Sequence, residues 1–125
     1  MHIIILLAMI YCHIFDDFAL QGIMKNMKCK SWWQENAADK KYQYDYLIVL
    51  ALHAFSWTFS TLVPLVVYML IANISIDYTL LIAFIINWII HFIVDNEKAN
   101  KLRINLIIDQ TIHIVQIIVT WLIFI

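Results

Sequence analysis

The chain has 125 residues, of which 64% are hydrophobic and 14% charged, with one Gly and one Pro, and its mean hydropathy is +0.82. This is far from a soluble globular average and points to a membrane protein. A net charge of −1, with the basic residues confined to two short segments, argues against a nucleic-acid partner.

A spanning helix needs roughly 20 apolar residues to cross about 30 Å of hydrocarbon. Four stretches meet this requirement, residues 2–24, 46–72, 77–95 and 104–125. The expected fold is therefore all-α, a four-helix transmembrane bundle forming a single domain over 1–125. Almost nothing is left over for a soluble catalytic domain, so any chemistry has to be built inside or beside the bundle. The N-terminal run lacks a basic n-region and a small-residue cleavage site, and is read as a span. All eight basic residues lie in the connections 25–45 and 96–103. The positive-inside rule then makes both connections cytoplasmic and puts both termini on the other side.

Span one would be an ordinary membrane helix without His13, Asp16 and Asp17 in its second half. One Asp near a helix centre costs about 3 kcal/mol on insertion scales, so two demand compensation or a place near the interface. His13, Asp17 and Gln21 are spaced by four and share a helix face. The following connection is polar and aromatic. Ser31 and Gln34 suggest a cap on a short helix, and Trp32, Trp33, Tyr42, Tyr44 and Tyr46 read as anchors at headgroup level, in a passive linker or a lid.

Span two is longer than needed. Its Pro64 frees the carbonyl of Ser60, for which Ser60 and Thr61 are expected to compensate locally, and its one ionisable side chain inside the apolar run is His53. Span three repeats Asn87, His91 and Asp95 at intervals of four. After a basic turn holding Lys98, Lys101 and Arg103, span four carries Asn105, Asp109 and His113 at the same interval, with Gln110 and Gln116 nearby. His91-x3-Asp95 and Asp109-x3-His113 are mirror images. A turn between them makes the helices antiparallel, and reversing the motif then restores the same spatial order. His13-x3-Asp17 on span one has that order too.

His13, His53, His91 and His113, with Asp17, Asp95 and Asp109, lie within about 16 Å of the basic boundary at 1.5 Å rise per residue. His2 is at the far end. Three buried carboxylates among neutral imidazoles leave uncompensated negative charge in a low-dielectric interior, which cations or protons must relieve. Imidazole with carboxylate suits a divalent metal, zinc favoured over iron or manganese, and seven ligands are too many for one four-coordinate ion. One ion with orienting partners, or two ions, fits the count. Gln21, Asn87, Lys98 and Gln110 are expected beside the ligands or against a substrate. A proton relay and simple interhelical glue are the bland alternatives.

The motifs His13-x3-Asp17-Phe18-x-Leu20-Gln21, His53-Ala54, His91-x3-Asp95-x2-Lys98 and Asp109-Gln110-x2-His113 resemble those of the small bacterial multi-pass membrane proteins catalogued as domain of unknown function 3307. The resemblance implies a four-helix membrane protein with a polar intramembrane cluster, placed in a bacterial inner membrane, and supplies no activity. The residues themselves suggest a metal-dependent hydrolase of a lipid or lipid-linked headgroup reached from the cytoplasmic leaflet. The metal would lower the pKa of a water and Asp17 or Asp16 would act as base, while Lys98, Lys101 and Arg103 would hold an anionic headgroup. A metal-ion or proton transporter, and a metal-stapled accessory protein, are the rival readings.

Overall fold

The computed structural model describes residues 2–125. Among these residues the secondary structure is entirely helical. The order is α1 (His2–Phe15), continued by a π-helical turn (Asp16–Leu20), then α2 (Met24–Met27), α3 (Lys30–Asn36), a 3₁₀ turn (Lys40–Tyr42), α4 (Asp45–Ile71), α5 (Tyr78–Ala99) and α6 (Leu106–Phe124). Four helices are long and apolar enough to cross a membrane: His2–Leu20, the Lys40–Ile71 run, Tyr78–Ala99 and Leu106–Phe124.

The spans form a closed ring in which α1 packs on α4, α4 on α5, α5 on α6 and α6 back on α1. Short turns join the last three. Asn73 (φ 55°) ends α4 in the left-handed region, and Ile74 N–H returns to Met69 C=O at 2.8 Å; this six-to-one bond satisfies a carbonyl that the helix end would leave orphaned. Asp77 and Asn105 cap α5 and α6, accepting from Thr79 N at 2.9 Å and Ile108 N at 3.0 Å.

The packing is inverted relative to a soluble bundle. Ile48, Leu52, Phe55, Phe59, Val63 and Val67 face outward along α4, whereas Leu50, His53, Ala54, Trp57, Thr58 and Thr61 are buried. Both sets recur every three to four residues, as one helix with two faces requires. Lipid solvates the apolar outside and the polar groups turn inward. The interior has two parts. Ile5, Met9, Trp57, Leu62, Leu65, Met69 and Ile117 make an apolar core, while His13, Asp16, His53, His91, Asp95, Asp109 and His113 are all at most 1% exposed in a polar region on the other side of Trp57.

Three local expectations change. Span one does not stay α-helical to residue 24; the π turn intervenes, and the chain reverses at Gly22 (φ 50°), a conformation that suits a residue without a Cβ. Ser31 lies inside α3, whose N-cap is Cys29 with no side-chain cap bond, because the helix starts two residues earlier than the capping pattern requires. Near Pro64, Thr61 turns back onto Trp57 C=O at 2.9 Å, but the Ser60 hydroxyl leaves its own helix for Asp16, where a carboxylate is the stronger acceptor.

Candidate metal centre

Asp16 and Asp17 enter the interior through the π turn. A π bulge adds a residue to one turn and commonly sits at functional positions; here it brings adjacent carboxyl groups inward, where a regular helix would splay them by about 100°. Asp16 is 1% exposed. Its Oδ2 accepts from Ser56 Oγ at 2.9 Å and Ser60 Oγ at 3.0 Å, and its Oδ1 lies 3.9 Å from His53 Nδ1. It therefore stands behind His53, away from any water-filled opening. Asp17 faces the other way, with Oδ1 3.4 Å from His53 Nε2 and 4.0 Å from His91 Nε2, and Oδ2 accepting from Gln110 Nε2 at 3.1 Å.

Around that point four atoms from three helices converge. His53 Nε2 and His91 Nε2 are 3.3 Å apart, and Asp95 Oδ2 lies 3.3 Å from the first and 3.8 Å from the second. Ligands held at about 2.0–2.2 Å from a tetrahedral zinc are roughly 3.3–3.6 Å from one another. Asp17 Oδ1 is buried without a hydrogen-bond partner, an expense that native interiors rarely bear unless something else meets the atom. Asp17, His53 and His91 thus form a group able to hold a metal ion, and His91, Asp95 and His113 form a second.

His113 takes a different part. Asn87 donates to Ala83 C=O and Thr120 Oγ1, both at 2.9 Å, so its own amide oxygen is an acceptor; Gln116 Nε2 donates to that oxygen at 3.3 Å and to Asn87 C=O at 3.2 Å. The Gln116 oxygen therefore faces His113 Nδ1, 3.0 Å away, and that nitrogen must carry the proton. His113 Nε2 is left facing Asp95 Oδ1 at 3.5 Å and Asp109 Oδ1 at 3.4 Å, and neither it nor Asp109 Oδ1 has a hydrogen-bond partner. The Asp95 carboxylate thus joins the two groups able to hold a metal ion, with Oδ2 turned to His53 and His91 and Oδ1 to His113. His91 and His113 stack, with centroids 4.1 Å apart and planes at 29°. Nitrogen lone pairs lie in the ring planes, so these near-parallel rings do not converge as well as His53 and His91, inclined at 63°.

His13 sits beside this set. Trp57 Nε1–H donates to His13 Nδ1 at 2.7 Å. A neutral imidazole has one lone pair, so its Nε2 carries a hydrogen and does not point a lone pair at a cation. Trp57 also stacks on His91 at 4.3 Å.

Two lysines complete the electrostatics. Lys28, from the connection and only 5% exposed, places Nζ 2.6 Å from Asp95 Oδ2, and Lys98 Nζ lies 2.5 Å from Asp109 Oδ2. The backbone around Lys28 is held by Asn100, which donates to Lys28 C=O at 3.1 Å and accepts from Lys30 N at 2.7 Å. Four buried carboxylates, Asp16, Asp17, Asp95 and Asp109, against two ammonium groups leave two negative charges when the imidazoles are neutral.

Of the residues expected around the ligands, Asn87 lies in the relay behind His113, Gln110 bridges Asp17 and Asp109, and Gln21 bonds Asp17 C=O at 2.5 Å. Lys101 and Arg103 pair with Glu97 on the exposed turn and stay out of the cluster, since Glu97 is nearer and costs them no desolvation. Sequence reasoning missed Lys28, Ser56, Trp57 and Asn100. Ser56/Ser60 and His53/Trp57 each repeat at four residues on span two, and that spacing was the available signal.

A cavity of about 580 Å³ adjoins the centre, with Asp17, Gln21, Lys25, Lys28, Lys98 and Gln110 among its walls. No curated protein and no solved structure matches the chain. A model of the family described as Protein of unknown function (DUF3307) matches residues 5–125, which takes in all four spans and the whole cluster, and the chain belongs to that family.

Proposed function

We propose that the protein is a single-domain, integral-membrane metalloenzyme that hydrolyses a lipid or lipid-linked headgroup, with one divalent ion, zinc by preference, held by Asp17, His53, His91 and Asp95. The observation that carries the reading is the unpartnered Asp17 Oδ1, set among two imidazole nitrogens and a second carboxylate oxygen at 3.3–4.0 Å. One divalent ion supplies the two missing positive charges.

A bound ion of this kind lowers the pKa of a water and polarises a phosphoryl or carbonyl oxygen. The chain's own residues do the rest. Asp16 Oδ1 stands 3.9 Å from His53 Nδ1, on the far side of the ring, where a small approach would make it the carboxylate behind a ligating histidine. Asp17 is the ligand that also lines the cavity, so its carboxylate is placed to receive a proton from water entering there. His113 and Asp109 face each other without a donor between them and can share a proton beside the centre. The apolar core beyond Trp57 supports a site entered from one end, which favours hydrolysis over transport.

The concentration of Lys and Arg at the cavity end supports a site facing the cytoplasm, with both termini opposite, in a bacterial inner membrane. Elemental analysis of detergent-purified protein tests the centre: about one ion per chain is expected from the charge balance, and its loss in His53→Ala with His91→Ala. Protein that stays metal-free after reconstitution with zinc sinks the proposal. Headgroup release from bacterial-lipid vesicles that is absent, or that survives chelation, sinks the hydrolase assignment alone.

A further inference from the structure

Lys28 presents a contradiction that leads past the metal centre. It is the one buried residue of the connection 25–45, whose other members are half-buried or exposed, and its ammonium reaches 2.6 Å from Asp95 Oδ2, the same oxygen that approaches His53 Nε2 at 3.3 Å. An ion coordinated by that oxygen and Lys28 compete for it, since both draw on the same lone pairs and repel each other at close range. Lys28 also lines the cavity, next to Lys98 and to the exposed Lys25, with the amides of Gln21 and Gln110 at the same walls. An ammonium leaving Asp95 has a place to go.

We propose that the cavity is a phosphate-binding site gated by the metal: when a divalent ion takes Asp95, Lys28 turns into the cavity and, with Lys25 and Lys98, receives the phosphate group of an anionic headgroup. This rests on the metal centre proposed above and names the class of group that the enzyme would take. The charge supports the coupling. Without the ion the cluster carries two uncompensated negative charges beside the cavity and repels phosphate. With the ion it is neutral, and the exposed Lys25 then makes the cavity walls positive. Lysine is a common phosphate partner as a point charge. Linkage requires the effect to be mutual, so phosphate must tighten metal binding by the same factor that metal tightens phosphate binding.

The test uses the full chain in phosphatidylcholine nanodiscs, with zinc and inorganic phosphate as probes. Zinc affinity is read by chelator competition and phosphate affinity by calorimetry. Zinc is expected to raise phosphate affinity about tenfold or more. Lys28→Met is expected to move the two affinities in opposite directions, zinc tighter by about tenfold because its competitor is gone and phosphate weaker by a similar factor. A merely structural lysine would weaken both. Lys25→Met, at an exposed position that does not threaten folding, is expected to weaken phosphate alone.

Phosphate binding that is indifferent to zinc, or Lys28→Met protein that binds zinc less well, overturns the proposal while leaving the metal centre standing. Failure of the wild type to bind zinc removes both. Phosphatidic acid placed in the same nanodiscs should compete with inorganic phosphate if the group is borne by a lipid. Without that competition the group belongs to a soluble phosphate compound.

Discussion

Trp57 lies against His91 with ring centroids 4.3 Å apart and planes inclined by 20°, and the same indole donates its N–H to His13 Nδ1 at 2.7 Å. One side chain thus fixes two histidines of the cluster, one by stacking and one by a hydrogen bond. Trp57→Phe keeps the stacked face and removes the donor, and should cost about 1–2 kcal/mol; Trp57→Ala also opens a cavity and should cost about 3–5 kcal/mol. Thermal unfolding in detergent should rank wild type above Trp57→Phe above Trp57→Ala, and a Trp57→Phe protein as stable as the wild type would show that the indole N–H contributes nothing.

His13 shares every sequence property of the other cluster histidines but spends its lone pair on Trp57. His13→Gln should therefore retain the metal, with affinity reduced by about tenfold as for residues that support ligands. His53→Gln should lose stoichiometric binding. Equal losses measured by chelator competition would place His13 among the ligands.

Gln116 presents its amide oxygen to His113 Nδ1 at 3.0 Å. Gln116→Leu should free the imidazole to exchange tautomers and cost about 1–3 kcal/mol, because the His113 N–H and the Asn87 oxygens lose their partner inside the bundle. The check is the ¹⁵N spectrum of labelled histidine: a single Nδ1–H form in the wild type and a mixture in the variant. An unchanged spectrum would mean that the relay does not set the proton.

At the opposite end of the bundle, the hydroxyl and backbone N–H of Thr79 hold the Asp77 carboxyl below its ordinary value. A carboxyl depressed in the folded state contributes stability that is present above its unfolded pKa, about 3.9, and is lost as pH falls through the lower folded value. Amide-exchange protection in the first turn of α5, taken relative to the intrinsic rate at each pH, should fall on acidification below about pH 4. Asp77→Asn keeps a capping side chain without a titrating proton and should flatten that response. An acid response identical in both proteins would assign it to another group.

The spans were legible because a membrane interior leaves few options. Twenty apolar residues have to be helical, and ionisable groups among them have to turn inward. The intervals of four in His91/Asp95 and Asp109/His113 therefore carried real information about which side chains meet. What stayed hidden depends on tertiary approach. Lys28 looks like any lysine in a basic connection, and only the return of α2 against α4, together with the Asn100 clamp, buries it. Asp16 was obscured by the π turn, which no residue type in Asp16–Leu20 announces, so a straight helix turned it away from its neighbour. Trp57 is one Trp of five in a hydrophobic chain, and nothing in its immediate sequence separates a core aromatic from the partner of two histidines.

Trp57 also divides the bundle into two materials. Toward the termini, Ile5, Met9, Leu65, Met69 and Ile117 cohere by close packing, which is indifferent to salt, acid or chelators. Toward the basic turns, the helices are joined through carboxylates and imidazoles that repel one another unless cations sit between them. The same four helices are thus tied firmly at one end and conditionally at the other. Withdrawing cations should loosen the polar end while the apolar end stays closed, like a clothes peg whose spring is the packed half, and the end that loosens is the one that carries the cavity.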